Sequence, residues 1–156
     1  MHTVDRVFIR APLEHVFRLA VDVERWPEIL PHYRWVRVLQ RRPDGGRVEM
    51  AAWRPFGPAP LRYPTWWVSE MWVEPDGGQP VIRYRHVDGI TRGMDVRWQL
   101  TRTTGGDVAV EIVHQWNGPS WPVVGPLAAS LVIGPVFVHG IASRTLAGIR
   151  ARAEAA

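Results

Sequence analysis

The rhythm of apolar and polar residues changes three times along the chain. Residues 4 to 10 (VDRVFIR) alternate loosely, the period of a strand with one buried face. Ala11-Pro12 ends that run. Proline costs no hydrogen bond in a first helical turn, and Val16, Phe17, Leu19 and Ala20 supply the apolar side of a short helix. Asp22 is expected to N-cap a second short helix reaching Glu28, interrupted at Trp26-Pro27 and closed before Pro31.

From residue 33 the period becomes two. Strands are expected over 33 to 41, 47 to 53, 65 to 74, 80 to 87, 93 to 103 and 107 to 116. Turn signals separate them at Pro43-Asp44-Gly45-Gly46, Pro75-Asp76-Gly77-Gly78 and Thr104-Gly105-Gly106. Residues 54 to 64 hold four Pro and one Gly and are expected to be irregular.

Alternation also assigns faces. Met94, Val96, Trp98 and Leu100 point inward, as do Val108, Val110, Ile112, His114 and Trp116. Ile82, Tyr84 and His86 form a third inward set, with Arg83 and Arg85 outside. Glu70 and Glu74 mark an outer face, which turns Thr65, Trp67, Ser69 and Met71 inward.

The last rhythm is helical. Residues 122 to 138 carry no charge, but they hold Pro126 and Pro135 and fall short of the ~20 residues a membrane span needs. From Ser143 the segment is amphipathic, with Leu146 and Ile149 on one side and Arg144, Arg150 and Arg152 on the other. A buried helix starting between Trp121 and Leu127 fits this pattern better than a membrane span. The order of strand, two short helices, six antiparallel strands and long helix predicts an α+β helix-grip fold. In it a curved sheet of about seven strands wraps the C-terminal helix, and the space between them is a pocket. With no linker, repeat or low-complexity stretch, residues 1–156 are expected to form one domain.

Composition narrows the function. A chain of 156 residues buries roughly two thirds of its unfolded surface and needs no covalent staple. Without Cys there are no disulfides, thiolate metal sites or Cys nucleophile. The opening residues lack a basic stretch followed by an apolar core, so a cytoplasmic protein is expected. All 19 basic residues are Arg and the net charge is +4, yet they are scattered among acids with no basic run, which argues against nucleic acid. The nine Trp, at 26, 35, 53, 66, 67, 72, 98, 116 and 121, exceed what an ordinary core of this size takes. Some should face a cavity, while Trp53, Trp66 and Trp72 are expected to cover the outer sheet, form a homodimer contact or bind a partner chain.

Residues 4 to 39, with Ala11-Pro12, Val16-Phe17, Asp22-Val23-Glu24, Trp26-Pro27 and Val36-Arg37-Val38-Leu39, resemble the opening of the START-like superfamily, in its polyketide cyclase/dehydrase branch. Ile141-Ala142-Ser143-Arg144-Thr145-Leu146 resembles that branch's ending. The resemblance implies a pocket lined by Trp26, Tyr33 and the late-strand Trp98. It also implies an inward Arg on the strand after the variable loop, which would polarise a ketone, but Met71 stands at that position here. A second inward Arg is replaced by His86. Such a likeness reports fold better than activity.

Cyclisation or dehydration of a polyketone needs a base for an α-proton and a donor for the enolate oxygen. His86 and His114 are the inward residues that titrate near neutral pH, so one is a candidate base and the other a candidate donor, with the Tyr33 or Tyr84 hydroxyl assisting. Equally, each imidazole can be a hydrogen-bonded part of the wall. Nothing aims Glu28 or Asp88 inward. The six His show no metal-ligand spacing, and no phosphate loop or nucleophile elbow is present, so neither metal nor cofactor is expected. The expected ligand-binding set is Trp26, Tyr33, Trp67, Met71, Tyr84 and Trp98, with loop 54 to 64 near the mouth. It suits a carrier or binding protein for a small apolar or aromatic molecule resembling a lipid, quinone or polyketide. The alternative is an aromatase/cyclase or dehydratase using the same pocket.

Overall fold

A computed structural model describes residues 1–55, 62–75, 77–119 and 138–156. In chain order the elements are β1 (His2–Ile9), α1 (Leu13–Val21), a 3-10 turn (Val23–Arg25), α2 (Trp26–Ile29), β2 (Tyr33–Arg42), β3 (Gly45–Pro55), β4 (Arg62–Glu74), β5 (Val81–Gly89), β6 (Asp95–Arg102), β7 (Val108–Gln115) and α3 (His139–Glu154). The strands form one antiparallel sheet in the order β1-β7-β6-β5-β4-β3-β2. This is the expected α+β helix-grip architecture. The expected start of the last helix, between Trp121 and Leu127, lies outside the described residues.

Two local expectations need correction. The Asp22 side chain makes no capping hydrogen bond. The chain passes from α1 straight into the 3-10 turn, so the Asp22 amide donates to the Arg18 carbonyl and the Arg25 amide to the Asp22 carbonyl. The backbone closes the junction by itself. Residues 54 to 64 are also not wholly irregular: Trp53 pairs with Pro64, Arg54 with Tyr63 and Pro55 with Arg62. β2 reaches along β3 only to Ala52, and β5 reaches along β4 only to Trp67. The ends carrying Pro55 and Pro64 are therefore edges, where a missing amide proton breaks no ladder. Residues 56–61 lie outside the described residues.

The concave face holds the core. Met94, just before β6, and Val96, Trp98 and Leu100 on it are buried, as are Val108, Val110, Ile112 and His114 on β7. On α3 the buried positions are Ala142, Thr145, Leu146, Ile149 and Ala153, the i, i+3/4 stripe of a helix seated on that face. The seat is close: a Cβ on Gly148 would come 2.2 Å from Leu30 Cδ2. No helix among the described residues is long and apolar enough to cross a membrane.

The convex face is a lattice of Arg, carboxylates and Trp. Glu70 accepts from Arg42 and Arg47 at 2.6 Å each, and Arg83 bonds Glu74 at 3.1 Å. The Trp66 and Trp72 indole N–H groups donate to Glu49 at 2.8 Å and Glu74 at 3.0 Å. The Arg34 guanidinium stacks on Trp35 and Trp53, 4.7 and 4.5 Å from their ring centres. Trp53, Trp66 and Trp72 are thus held to the sheet by residues of their own chain.

Candidate functional site

Between the concave face and α3 lies a cavity of about 80 Å³ walled by a continuous run of rings. Trp98 of β6 stacks on Trp26 at 5.6 Å, and Trp26 meets Tyr33 edge-on at 5.1 Å. Tyr33 meets Trp67 edge-on at 6.3 Å, and Trp67 stacks on His86 at 5.8 Å. Each ring is aimed by local structure. Trp26 opens α2 and donates its indole proton to the Leu19 carbonyl of α1 at 3.0 Å. Tyr33 is the first residue of β2, while Trp67, His86 and Trp98 hold inward positions on β4, β5 and β6.

The rest of the wall includes Met50, Tyr84, Met94, Ile112 and His114 from the sheet, Thr91 from the β5–β6 turn, and Ile141, Ala142 and Thr145 from α3. A volume near 80 Å³ has room for several waters. A ring-sized guest requires side chains to move, and Met50 and Met94 are the adaptable ones.

Of the residues expected from sequence, Trp26, Tyr33, Trp67, Tyr84, His86, Trp98 and His114 converge on this cavity. Met71 does not. It is buried and inward as expected, but it lines a separate groove with Phe17, Val21, Val38 and Val73. Parity along β4 gives the face of Met71 and not its distance along the strand, which places it beneath α1 and the 3-10 turn. Glu28 and Asp88 are exposed: Glu28 bonds Arg25, and Asp88 accepts from the Gly89 amide. Three polar wall residues were not anticipated, namely Thr91, Thr145 and, just behind the wall, His32. Thr145 was within reach of the α3 periodicity, since it falls on the stripe with Ala142 and Leu146. Thr91 and His32 sit in turns, where no period marks a face.

The electrostatics are those of a buried site. Burial pulls His114 down to about 3. Burial, helped by the nearby His114, does the same for His86. Burial pushes the Tyr33 and Tyr84 hydroxyls up. At neutral pH every one of these groups is uncharged. His86 Nδ1 is 2.6 Å from the Thr91 hydroxyl. Among the described residues, His114 Nδ1 and the Tyr84 hydroxyl are buried without a partner. An imidazole this hard to protonate is a weak base and supplies no imidazolium donor near pH 7, but it hydrogen-bonds a guest oxygen well. No group of three or more His, Asp or Glu among the described residues could hold a metal ion.

Known proteins carry the same architecture. A provisionally named polyketide cyclase of Streptomyces halstedii is 30% identical over 105 residues, covering 67% of this chain and 92% of that protein. The Zhui aromatase/cyclase of Streptomyces sp. R1128 superposes with a TM-score of 0.80 at 18% identity, covering 99% of this chain and 93% of its own. A STAR-related lipid transfer protein of Xanthomonas axonopodis superposes with a TM-score of 0.66 at 15% identity, covering 97% and 84%. At such identities the two structural likenesses establish fold alone. The family described as polyketide cyclase / dehydrase and lipid transport matches residues 9–132, and the chain belongs to that family.

Proposed function

We propose that the protein binds a small apolar or aromatic molecule in the cavity between sheet and α3, as a carrier or binding protein. One observation carries this reading: the unbroken run Trp98–Trp26–Tyr33–Trp67–His86 offers ring faces and edges along one wall, with no charged group in it. Well-placed aromatic pairs contribute roughly 0.5–1.5 kcal/mol each beyond area burial, so a flat guest touching several rings is held without an ion pair. We read residues 1–156 as one cytoplasmic domain that works without metal or cofactor. Titration with quinones, fatty acids and aromatic polyketides should quench Trp fluorescence saturably at micromolar or lower concentration. A panel giving no saturable quenching would overturn the reading.

The second reading, a cyclase or dehydratase acting on a poly-β-ketone, is favoured by the buried, unpartnered Tyr84 hydroxyl and His114 Nδ1. These groups are placed to hydrogen-bond a ketone or enolate oxygen. Turnover of a poly-β-ketone by the unmodified protein, lost in His86→Ala or His114→Ala, would establish it over the carrier. The absence of turnover with binding intact leaves the carrier.

A further inference from the structure

The ring-lined cavity and the groove under α1 are neighbours on one floor. On β4 the inward positions Trp67, Ser69 and Met71 follow one another roughly 7 Å apart. Trp67 lines the cavity and Met71 the groove. The adjoining strand β3 repeats the arrangement. Met50, opposite Trp67, lines the cavity, and Val48, opposite Ser69, lines the groove. On β5, Tyr84 stands directly opposite Met71 yet belongs to the cavity wall. Cross-strand partners are adjacent, so along this floor only side chains divide the two spaces.

The dividing side chains share two properties. They give way easily, because Met50 and Met71 are unbranched and adaptable, and the Tyr84 hydroxyl has no hydrogen bond to lose among the described residues. They also hold orphaned polar atoms. Ser69 is 0% exposed, and its hydroxyl, like that of Tyr84, is buried with no partner among the described residues. Buried hydroxyls are ordinarily hydrogen-bonded, so two orphans on one partition point to a guest that supplies an oxygen there. Ser69 lies diagonally across β4 and β5 from Tyr84, near enough for both hydroxyls to address the same stretch of the passage. Size argues the same way. The cavity alone holds about 80 Å³, and the groove adds about 400 Å³.

We propose that cavity and groove are the two ends of one ligand channel divided by Met71, and that its guest is an elongated apolar molecule carrying an oxygen function partway along, met by Ser69 and Tyr84. The inference rests on the ligand-binding reading above and adds the length of the guest and the place of its oxygen.

The test compares 9,10-anthraquinone with 1,4-naphthoquinone. Both carry a pair of ring carbonyls, but only the anthraquinone has a ring on each side of them. With the methionine methyl groups labelled with carbon-13, NMR reads which of Met1, Met50, Met71 and Met94 the bound quinone touches. Anthraquinone should touch Met71 as well as Met50 and Met94. Contacts to Met50 and Met94 without Met71 overturn the proposal and leave binding in the cavity standing, whereas no binding of either quinone overturns both. Fluorescence titration of variants supplies a second arm. Met71→Ala should raise the ratio of anthraquinone to naphthoquinone affinity and Met71→Phe should lower it. Each change should be on the order of tenfold, the scale on which an apolar pocket senses a small change in volume. A loosened wall would shift both quinones alike, so an unmoved ratio in Met71→Ala overturns the proposal. Ser69→Ala removes a hydroxyl without a partner among the described residues, so the urea midpoint of the ligand-free protein should stay the same or rise. Anthraquinone should nevertheless bind that variant up to about tenfold more weakly, the range of one hydrogen bond. A lower midpoint with anthraquinone affinity unchanged would assign the Ser69 hydroxyl to the fold and overturn the proposal.

Discussion

On the concave face, Trp26, Trp67 and Trp98 are at most 7% exposed and stack against other rings; on the convex face, Trp66 is 36% exposed and lies in a lattice of ion pairs. The indole N–H partners divide the same way. Trp26 and Trp116 donate to the backbone carbonyls of Leu19 and Arg92, whereas Trp66 and Trp72 donate to the Glu49 and Glu74 carboxylates. A buried indole takes a neutral acceptor because a carboxylate in that position would have to be desolvated, while at the surface a carboxylate stays hydrated and costs little. The acceptor thus separates buried Trp26 and Trp116 from outer Trp66 and Trp72. Satisfied in this way, Trp66 and Trp72 need no second chain to complete their hydrogen bonding.

Acid should separate the faces most strongly. His32 is held at about 4, and His86 and His114 at about 3, against an ordinary 6.5. Folding favours their neutral forms, so as pH falls the unfolded chain takes up protons first. Stability from this source is complete above about 6.5 and is lost on the way down to the folded values, at up to ~1.4 kcal/mol per pH unit for each ring. Glu70 and Glu74 are held below their ordinary 4.5, so their exposed pairs keep their full contribution until below that pH and then lose little. Asp5, raised by burial, acts in the opposite direction at the acid end. Urea unfolding across pH should therefore show a decline of several kcal/mol beginning near 6.5. A decline starting only below 4.5 would place the titration on the convex face and break the contrast.

Truncation comes next in size. Trp98→Ala removes the ring stacked on Trp26 from the closed side of the sheet and should cost about 3–5 kcal/mol in urea unfolding. Trp66→Ala should cost less than about 1 kcal/mol, in the range of surface changes. Near-equal losses would mean that the outer Trp carries core packing the exposure figures do not suggest. Gly148→Ala follows, probing how tightly α3 is seated. Its Cβ would meet Leu30 Cδ2 at 2.2 Å, so overpacking of about 1–3 kcal/mol should outweigh the alanine's better helix propensity. An unchanged or higher melting temperature would show that Leu30 gives way freely.

How legible this was depended on periodicity. Alternation at 80 to 116 placed Tyr84, His86, Trp98 and His114 on the inner face, because a strand with one dry side must repeat every two residues. It carried no information on distance along a strand, which is why Met71 was assigned to the cavity and instead lines a groove under α1. Proline content suggested an irregular 54 to 64, but the neighbouring strands stop at Ala52 and Trp67, and edge positions tolerate Pro55 and Pro64. His32 and Thr91 lie where the chain turns, and the hydrogen bond from His32 to Thr145 exists only once α3 is packed against the sheet.

The smallest expected effect lies in the convex lattice itself. Glu70 accepts from both Arg42 and Arg47, and its side chain is 20% exposed against 37% and 48% for the two guanidinium partners. Two cations share one partly buried carboxylate here, yet both partners remain within reach of water. Exposed pairs contribute about 0.2–1 kcal/mol, so Glu70→Gln should cost no more than about 1 kcal/mol. Salt distinguishes the cause. Near 1 M NaCl the screening length falls to about 3 Å, and the gap between Glu70→Gln and the unmodified protein should narrow. The loss caused by Trp98→Ala should stay as it was, because no charge is involved. If the Glu70→Gln gap instead held constant with salt, Glu70 would be contributing through packing and hydrogen-bond geometry, and the convex face would resemble the concave one more closely than its exposure suggests.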